Sequence, residues 1–415
     1  MSFSEDFNDT RLVCDKKIPK GHGETIYNHA LKSILLAYNV DVDIHDTYSA
    51  EKSPEIFVYE GKQYLVMDHA LSEYFNLLNA LVSIEEAPDF ILAILQRPLA
   101  EICRRHGHLK HYAFFIMRSF EVKPFVRLLS QSGSHSLQIF WQTMTILAHE
   151  SAHCIPKDCK LGEHLYFGSR IFISMEVNRI IEETNSKLMS AIMGEEIDDE
   201  YLTQNDLFEL LNSIDNHENN LQEAFLAKTN DETFVEEIVC DSFSAHAIKS
   251  HLCECIELQP DETNQDSVEG ILLAAHNTFL NMRFHQYTED IAKLIGMDTP
   301  EKINPLRLDG LVEFTIRGNL FAKNIFSIWN DLFSGSEATD TLSSFEKKIR
   351  HSTQNHTNKL FIPFNAFIEE TLLNESFAQK IDDCLIEDGF ELDLFEATPW
   401  KARKLFDGFW NVIVD

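Results

Sequence analysis

Apolar residues in this chain recur mostly at spacings of three and four, the period that lines one face of an α-helix. Ile26, Ala30, Leu31, Ile34, Leu35 and Tyr38 predict an amphipathic helix over Glu24 to Tyr38. Leu137, Phe140, Trp141, Met144, Ile146, Leu147 and Ala148 predict a second, more apolar one. Pro156 and Lys157-Asp158 stop that segment, and a further apolar helix carrying Phe167, Ile171, Ile173, Val177 and Ile180 follows. Alternation with period two is rare. It is clearest in EIFVYEGKQYLVM, Glu55 to Met67, where two β-branched and aromatic runs flank Glu60-Gly61-Lys62 and predict a hairpin or strand pair. Asp68 is then expected to cap a helix running through Val82. Helical stretches are expected from Pro88 to about Ile116, with a short possible strand in VKPFVRLL, and the chain from Val268 onward reads as mostly helical. The expected fold class is therefore α+β, mainly helical, with a small sheet packed beside the helix that ends at Pro156.

Breaks in the pattern divide the chain. We expect residues 1–130 to form an N-terminal helical region with a short β hairpin, residues 131–333 a core, and residues 334–415 a C-terminal helical region set off by SGSEATD. Within the core, residues 193–233 turn acidic and Asn-rich and read as a solvated helical insertion, with a lid over a site as the alternative.

Charge narrows the range of partners. With 35 Lys+Arg against 67 Asp+Glu the formal net charge is −32, which opposes binding to nucleic acid and to anionic membrane surfaces. A basic peptide or protein partner on the acidic surface is favoured by the same field, although solubility alone also accounts for it. The N-terminal segment has no apolar core behind a basic start, and Gly270 to Leu280 is too short to span a bilayer. Eight scattered cysteines fit a reduced, cytoplasmic chain. The pairs Cys154/Cys159 and Cys253/Cys255 lack C-x-x-C spacing and read as buried thiols.

Chemistry enters at TILAHESAHCIP, Thr145 to Pro156, which contains H-E-x-x-H. On a helix His149 and His153 stand about 40° apart around the axis and one turn apart along it, so both can reach one metal ion. Glu150 points to the neighbouring face, placed to take a proton from an activated water without being a ligand. A catalytic Zn2+ commonly has three protein ligands, so one remains to be found. The metzincin continuation is absent, because Pro156 and Cys159 occupy the places where Gly and His are needed. Downstream, Glu237 and Asp241 lie one turn apart among Phe234, Val235, Ile238 and Val239, an apolar setting in which a charge calls for a partner. Glu237 shares a helix face with Asp241 and Ser244, whereas its rival Glu236 shares one with Cys240 and Phe243. Glu163, ten residues past His153, is a third candidate.

With His149, Glu150, His153, Glu237 and Asp241 the chain resembles the gluzincin type of zincin metallopeptidase, in which H-E-x-x-H is completed by a later E-x-x-x-D. The resemblance implies a zincin-like core, His149, His153 and Glu237 as zinc ligands, Glu150 as general base, and Asp241 as the group orienting a ligand histidine. It implies a zinc metalloendopeptidase acting on a protein or peptide substrate. The match covers two short islands with 83 residues between His153 and Glu237. Asn304-Pro305-Leu306-Arg307 is similar to a His-Pro motif followed by Arg in some gluzincins, with Asn in place of His, and Arg307 reads as an ordinary helix residue or a core-edge ion pair. The layout also looks like that of phage-exclusion peptidases of the Lit type. Two other functions compete: a metal-binding interaction protein without activity, and a carboxylate-bridged di-iron protein. The second would need another E-x-x-H, and no other histidine here has Glu three residues before it.

Overall fold

The computed structural model describes residues 22–47, 54–83, 96, 99–100, 103, 107–119, 136–193, 218–258, 265–294, 300–333, 338–371 and 376–387. The expected strand in VKPFVRLL and most of the acidic insertion lie outside them. The fold is mainly helical with one three-stranded sheet.

A single helix organises the rest. Helix α4 (Ser136–Ala152) is buried on every side from Trp141 to His149, including the polar Gln142, Thr143 and Thr145. A helix without a solvent face must be enclosed by other elements, and α4 is enclosed by α7 (Glu232–Leu258), α8 (Gln265–Lys293) and the sheet. Helix α9 (Pro300–Leu332) packs in turn on α7 and α8. Ser244 on α7 donates to the Thr145 carbonyl at 3.2 Å, so the α4–α7 contact is pinned by a buried hydrogen bond as well as by apolar packing. The expected core of this segment is observed: Trp141, Met144, Ile146, Leu147 and Ala148 are buried, facing Phe234, Val235, Ile238 and Phe243 in one continuous apolar cluster.

The described chain begins with three consecutive helical segments, together α1: His22–Ile26, Tyr27–Leu31 with π geometry, and Lys32–Ala37. Strands β2 (Glu55–Tyr59) and β3 (Lys62–Asp68) form the expected hairpin. Its two-residue loop has positive φ at both Glu60 (49°) and Gly61 (78°), the backbone that matches the twist of paired strands and that glycine adopts without strain. Strand β1 (Asp43–Thr47) joins β3 in parallel, giving the order β1-β3-β2. Its sequence, DIHDT, has no apolar alternation. It is held instead by Asp46, whose Oδ1 accepts from the Gly23 amide and pairs with His69 Nε2, both at 2.8 Å. A Cβ at position 23 would lie 2.5 Å from that oxygen, so only glycine lets α1 come this close.

Helix α2 (His69–Val82) starts directly after β3, and α3 is Leu109–Ser119. In α5 (Lys160–Met193) the apolar residues do not all share one face: Ile173, Val177 and Ile180 are buried, while Phe167 is 68% and Ile171 43% exposed. Helix α6 (Glu218–Ala227) leads through the 3-10 turn Lys228–Asn230 into α7. Helix α10 (Ala338–His356), a π segment (Thr357–Phe361) and α11 (Ile362–Glu370) cover α8 and α9. Helix α12 (Phe377–Glu387) packs on α3. Among the described residues no helix is long and apolar enough to cross a membrane.

Candidate metal centre

Both imidazoles come from the end of α4. The α-helix stops at Ala152, and His153, Cys154 and Ile155 close the turn with i→i+3 bonds to the carbonyls of Glu150, Ser151 and Ala152. Pro156 follows and cannot continue the helix. The tightened turn leaves the His149 and His153 rings 5.4 Å apart and nearly perpendicular. Helix α7 supplies the carboxylates. Asp231 caps its N-terminus by accepting from the amides of Thr233 and Phe234 at 3.0 and 3.1 Å, so that Glu236 and Glu237 open the second turn.

Glu237 meets both histidines. Its Oε2 is 3.5 Å from His149 Nε2 and its Oε1 3.8 Å from His153 Nε2. Ligand atoms of His149, His153 and Glu237 all lie within 4.8 Å of one another, and no other such group occurs among the described residues. The outer nitrogens are occupied: His149 Nδ1 is 3.0 Å from Asp241 Oδ1, and His153 Nδ1 is 3.3 Å from Glu236 Oε1. With Nδ1 of each ring turned to its own carboxylate, Nε2 is the nitrogen that each ring turns toward the carboxylate they share, and the one that can take a metal once any proton on it is displaced. This donor set of two imidazoles and one carboxylate fits a zinc ion.

Charges around the site are strongly coupled. Burial disfavours a charged His149, yet Asp241, Glu237 and Glu150 outweigh it and push its pKa up to about 10 in the metal-free chain. Burial likewise opposes ionisation of Glu237, but the Arg317 guanidinium and the two histidines hold its carboxyl well below the usual range. Arg317, wholly buried on α9, grips Asp241 through Nε and Nη2 at 2.7 and 2.8 Å and reaches Glu237 Oε2 through Nη1 at 2.7 Å. Burial and the neighbouring carboxylates raise the Cys240 thiol far above its ordinary value, and burial and Glu150 bring Cys154 to about 11. Both thiols therefore stay protonated beside the ligand set.

The sequence-predicted residues divide clearly in space. His149, His153 and Glu237 come together, Asp241 stands behind His149, and Glu150 is half-buried on α4 next to His149. Glu236 lies behind His153 and also pairs with Lys157 at 3.2 Å. Glu163 is exposed in the first turn of α5, outside the cluster. Arg307 is a buried residue of α9 that pairs with Glu369 at 2.7 Å and donates to Asn365. Arg317 and Arg283 were not singled out from the sequence. The available signal was a charge inside an apolar helical pattern, Phe314-Thr315-Ile316-Arg317 and Met282-Arg283-Phe284, the same one that marked Glu237.

A cavity of about 210 Å³ opens beside Glu237 between α7, α8 and α9, with Phe234, Tyr287 and Leu306 as apolar walls and Asp290, Asp309 and Glu313 as acidic ones. At its edge the Lys228 ammonium is shared by Asp309 and Glu313, each at 2.7 Å, and Asp231 at 3.3 Å. Three carboxylates thus divide one cation, and burial, reinforced by Asp309 and Glu237, raises Glu313 from 4.5 to about 7 despite Lys228. Between those pH values the folded chain binds more protons at this carboxyl than the unfolded chain does. Its contribution to stability is therefore complete below pH 4.5 and is lost as pH rises through 7, by at most about 3 kcal/mol. Urea unfolding across pH 4.5–8 is expected to show this decline, and Glu313→Gln is expected to flatten it. An unchanged slope in the variant would assign the decline to another group.

Comparisons with protein-family models, with curated proteins and with solved structures found no match to this chain.

Proposed function

We propose that this chain is a zinc-dependent metallopeptidase that hydrolyses peptide bonds in a protein or peptide substrate. The observation that carries the reading is that ligand atoms of His149, His153 and Glu237 lie within 4.8 Å of one another, each histidine backed by its own carboxylate. When bound, zinc would act as a Lewis acid, lowering the pKa of water and polarising the scissile carbonyl. His149, His153 and Glu237 would hold it, Asp241 and Glu236 would fix the ring orientations, and Arg317 would keep Glu237 ionised and hold Asp241 in place. Glu150 takes a proton from the attacking water as the water oxygen bonds to the carbonyl carbon and the π pair moves onto the carbonyl oxygen. That pair returns as the C–N bond breaks, and Glu150 passes its proton to the departing nitrogen, leaving a carboxylic acid and an amine that reach their ionic forms in water. The cavity beside Glu237 has room for a substrate side chain.

Metal binding separates the residue roles. Titration of metal-free protein with zinc, followed by calorimetry, is expected to give about one ion per chain. Binding is expected to fail in His149→Ala and to weaken by at least tenfold in Glu237→Ala, while Glu163→Ala stays normal; Glu236→Ala, which removes only the support behind His153, is expected to lose less than Glu237→Ala. Wild-type affinity in Glu237→Ala would overturn the ligand set, and stoichiometric iron in the purified protein would overturn the zinc reading.

A further inference from the structure

Arg283 belongs to α8 and is 93% buried by its 7% exposure, with its guanidinium packed 5.9 Å from the Phe279 ring. Its Nε has no hydrogen-bond partner, and its nearest carboxylate oxygen is Glu237 Oε2, 3.5 Å from Nη1 and beyond a normal hydrogen bond. That oxygen already has Arg317 at 2.7 Å. Arg283 is therefore a second buried cation at the same ligand, one that Glu237 does not fully engage. Burying a guanidinium with unused donors is costly, and such a group gains most where negative charge appears during a reaction.

Its place on α8 gives that charge a location. Gln286, Tyr287 and Asp290 follow Arg283 at helical spacings of three, four and seven and line the cavity, while Glu237 belongs to both the cavity wall and the metal-ligand group. Arg283 thus stands one turn before the cavity wall on α8 and against Glu237, the residue that the wall shares with the candidate ligands.

Building on the peptidase reading, we infer that Arg283 is a catalytic residue that donates hydrogen bonds to the scissile carbonyl oxygen as that oxygen becomes negative. The bond changes are those of the hydrolysis above. Arg283 neither gains nor loses a proton, because a guanidinium stays protonated, and its contribution is a fixed positive charge with N–H donors available to the tetrahedral stage.

The test uses full-length protein loaded with zinc, in wild type, Arg283→Met and Arg283→Lys, with circular dichroism as the check on folding. Two probes are compared by calorimetry: acetohydroxamate, which grips the metal, and an alanine-based phosphonate peptide, whose tetrahedral anionic oxygens mimic the charged stage. Arg283→Met is expected to bind zinc and acetohydroxamate within about threefold of wild type and to lose roughly 100-fold in phosphonate affinity, with Arg283→Lys recovering part. On a pool of quenched fluorescent peptides, kcat is expected to fall by a similar factor with KM little changed. Equal weakening of both probes, or loss of zinc, would show that Arg283 only holds Glu237 and would overturn the inference, as would an unchanged phosphonate affinity or a wild type that does not prefer the phosphonate to its parent amide. Should Arg283→Met fail to fold, Arg283→Lys decides alone, since undiminished kcat with a displaced ammonium is incompatible with donation from this position. Wild-type protein that binds neither zinc nor acetohydroxamate would sink the peptidase reading itself, a result separate from the others.

Discussion

Glu150→Gln is expected to bind zinc as wild type does and to lose peptide hydrolysis by about 10²- to 10⁴-fold. The amide matches the carboxylate in shape and still forms hydrogen bonds, so packing at the end of α4 should persist. What disappears is basicity. Glu150 stands outside the group formed by His149, His153 and Glu237, so the ligand count is unchanged. Its charge does act on that group, being among the influences that raise His149, and its loss should make His149 slightly easier to deprotonate and no harder to metallate. Zinc content by plasma emission, paired with cleavage of an unfolded protein substrate, measures both quantities on one sample. A variant that still cleaves has another base; a variant without zinc has lost a ligand or a structural group.

The largest expected effect on stability belongs to Arg317. Its guanidinium has no exposed surface and engages two carboxylates, Asp241 and Glu237, whose side chains are 4% and 17% exposed. Arg317→Met fills similar space but leaves two buried carboxylates without their cation, and breaking a buried ion pair from one side costs about 3–5 kcal/mol. Metal-free protein should show this loss in urea unfolding. Adding Asp241→Asn to Arg317→Met should recover part of it, since one of the stranded charges is then gone. Zinc should narrow the gap by compensating Glu237. A loss below about 1 kcal/mol would mean that the pair behaves as a solvated one.

Why is the group of His149, His153 and Glu237 legible in the sequence when its electrostatic frame is not? His149, Glu150 and His153 are related by helical periodicity over five residues, and Glu237 and Asp241 by one turn. Local geometry suffices to place the two histidines on one face with Glu150 beside them, and the two carboxylates on another. Joining them needs only the rule that a carboxylate in an apolar helix must find a partner. Arg317 is 76 residues from Asp241, and the pairing depends on how α9 crosses α7, which no periodicity reports. The support of His153 by Glu236 is hidden for a different reason: helix spacing makes Glu236 a rival of Glu237 for one role, whereas the neighbouring positions 236 and 237 serve the two nitrogens of one ring. The hairpin was visible through its alternation and Gly61, but β1 was not, because a polar strand paired along one edge leaves no apolar pattern. On α5, composition identified an apolar helix without separating the buried Ile173 and Val177 from the exposed Phe167 and Met175.

The direct packing of α4 on α7 bears on how the gene can change. Both halves of the ligand set sit on helices that touch each other, pinned at Ser244 and Thr145, so their alignment does not pass through the chain that links them. A change in the number of residues between α5 and α6 is therefore expected to leave the 3.8 Å approach of His153 to Glu237 in place, since chain length between elements has only a weak logarithmic hold on stability.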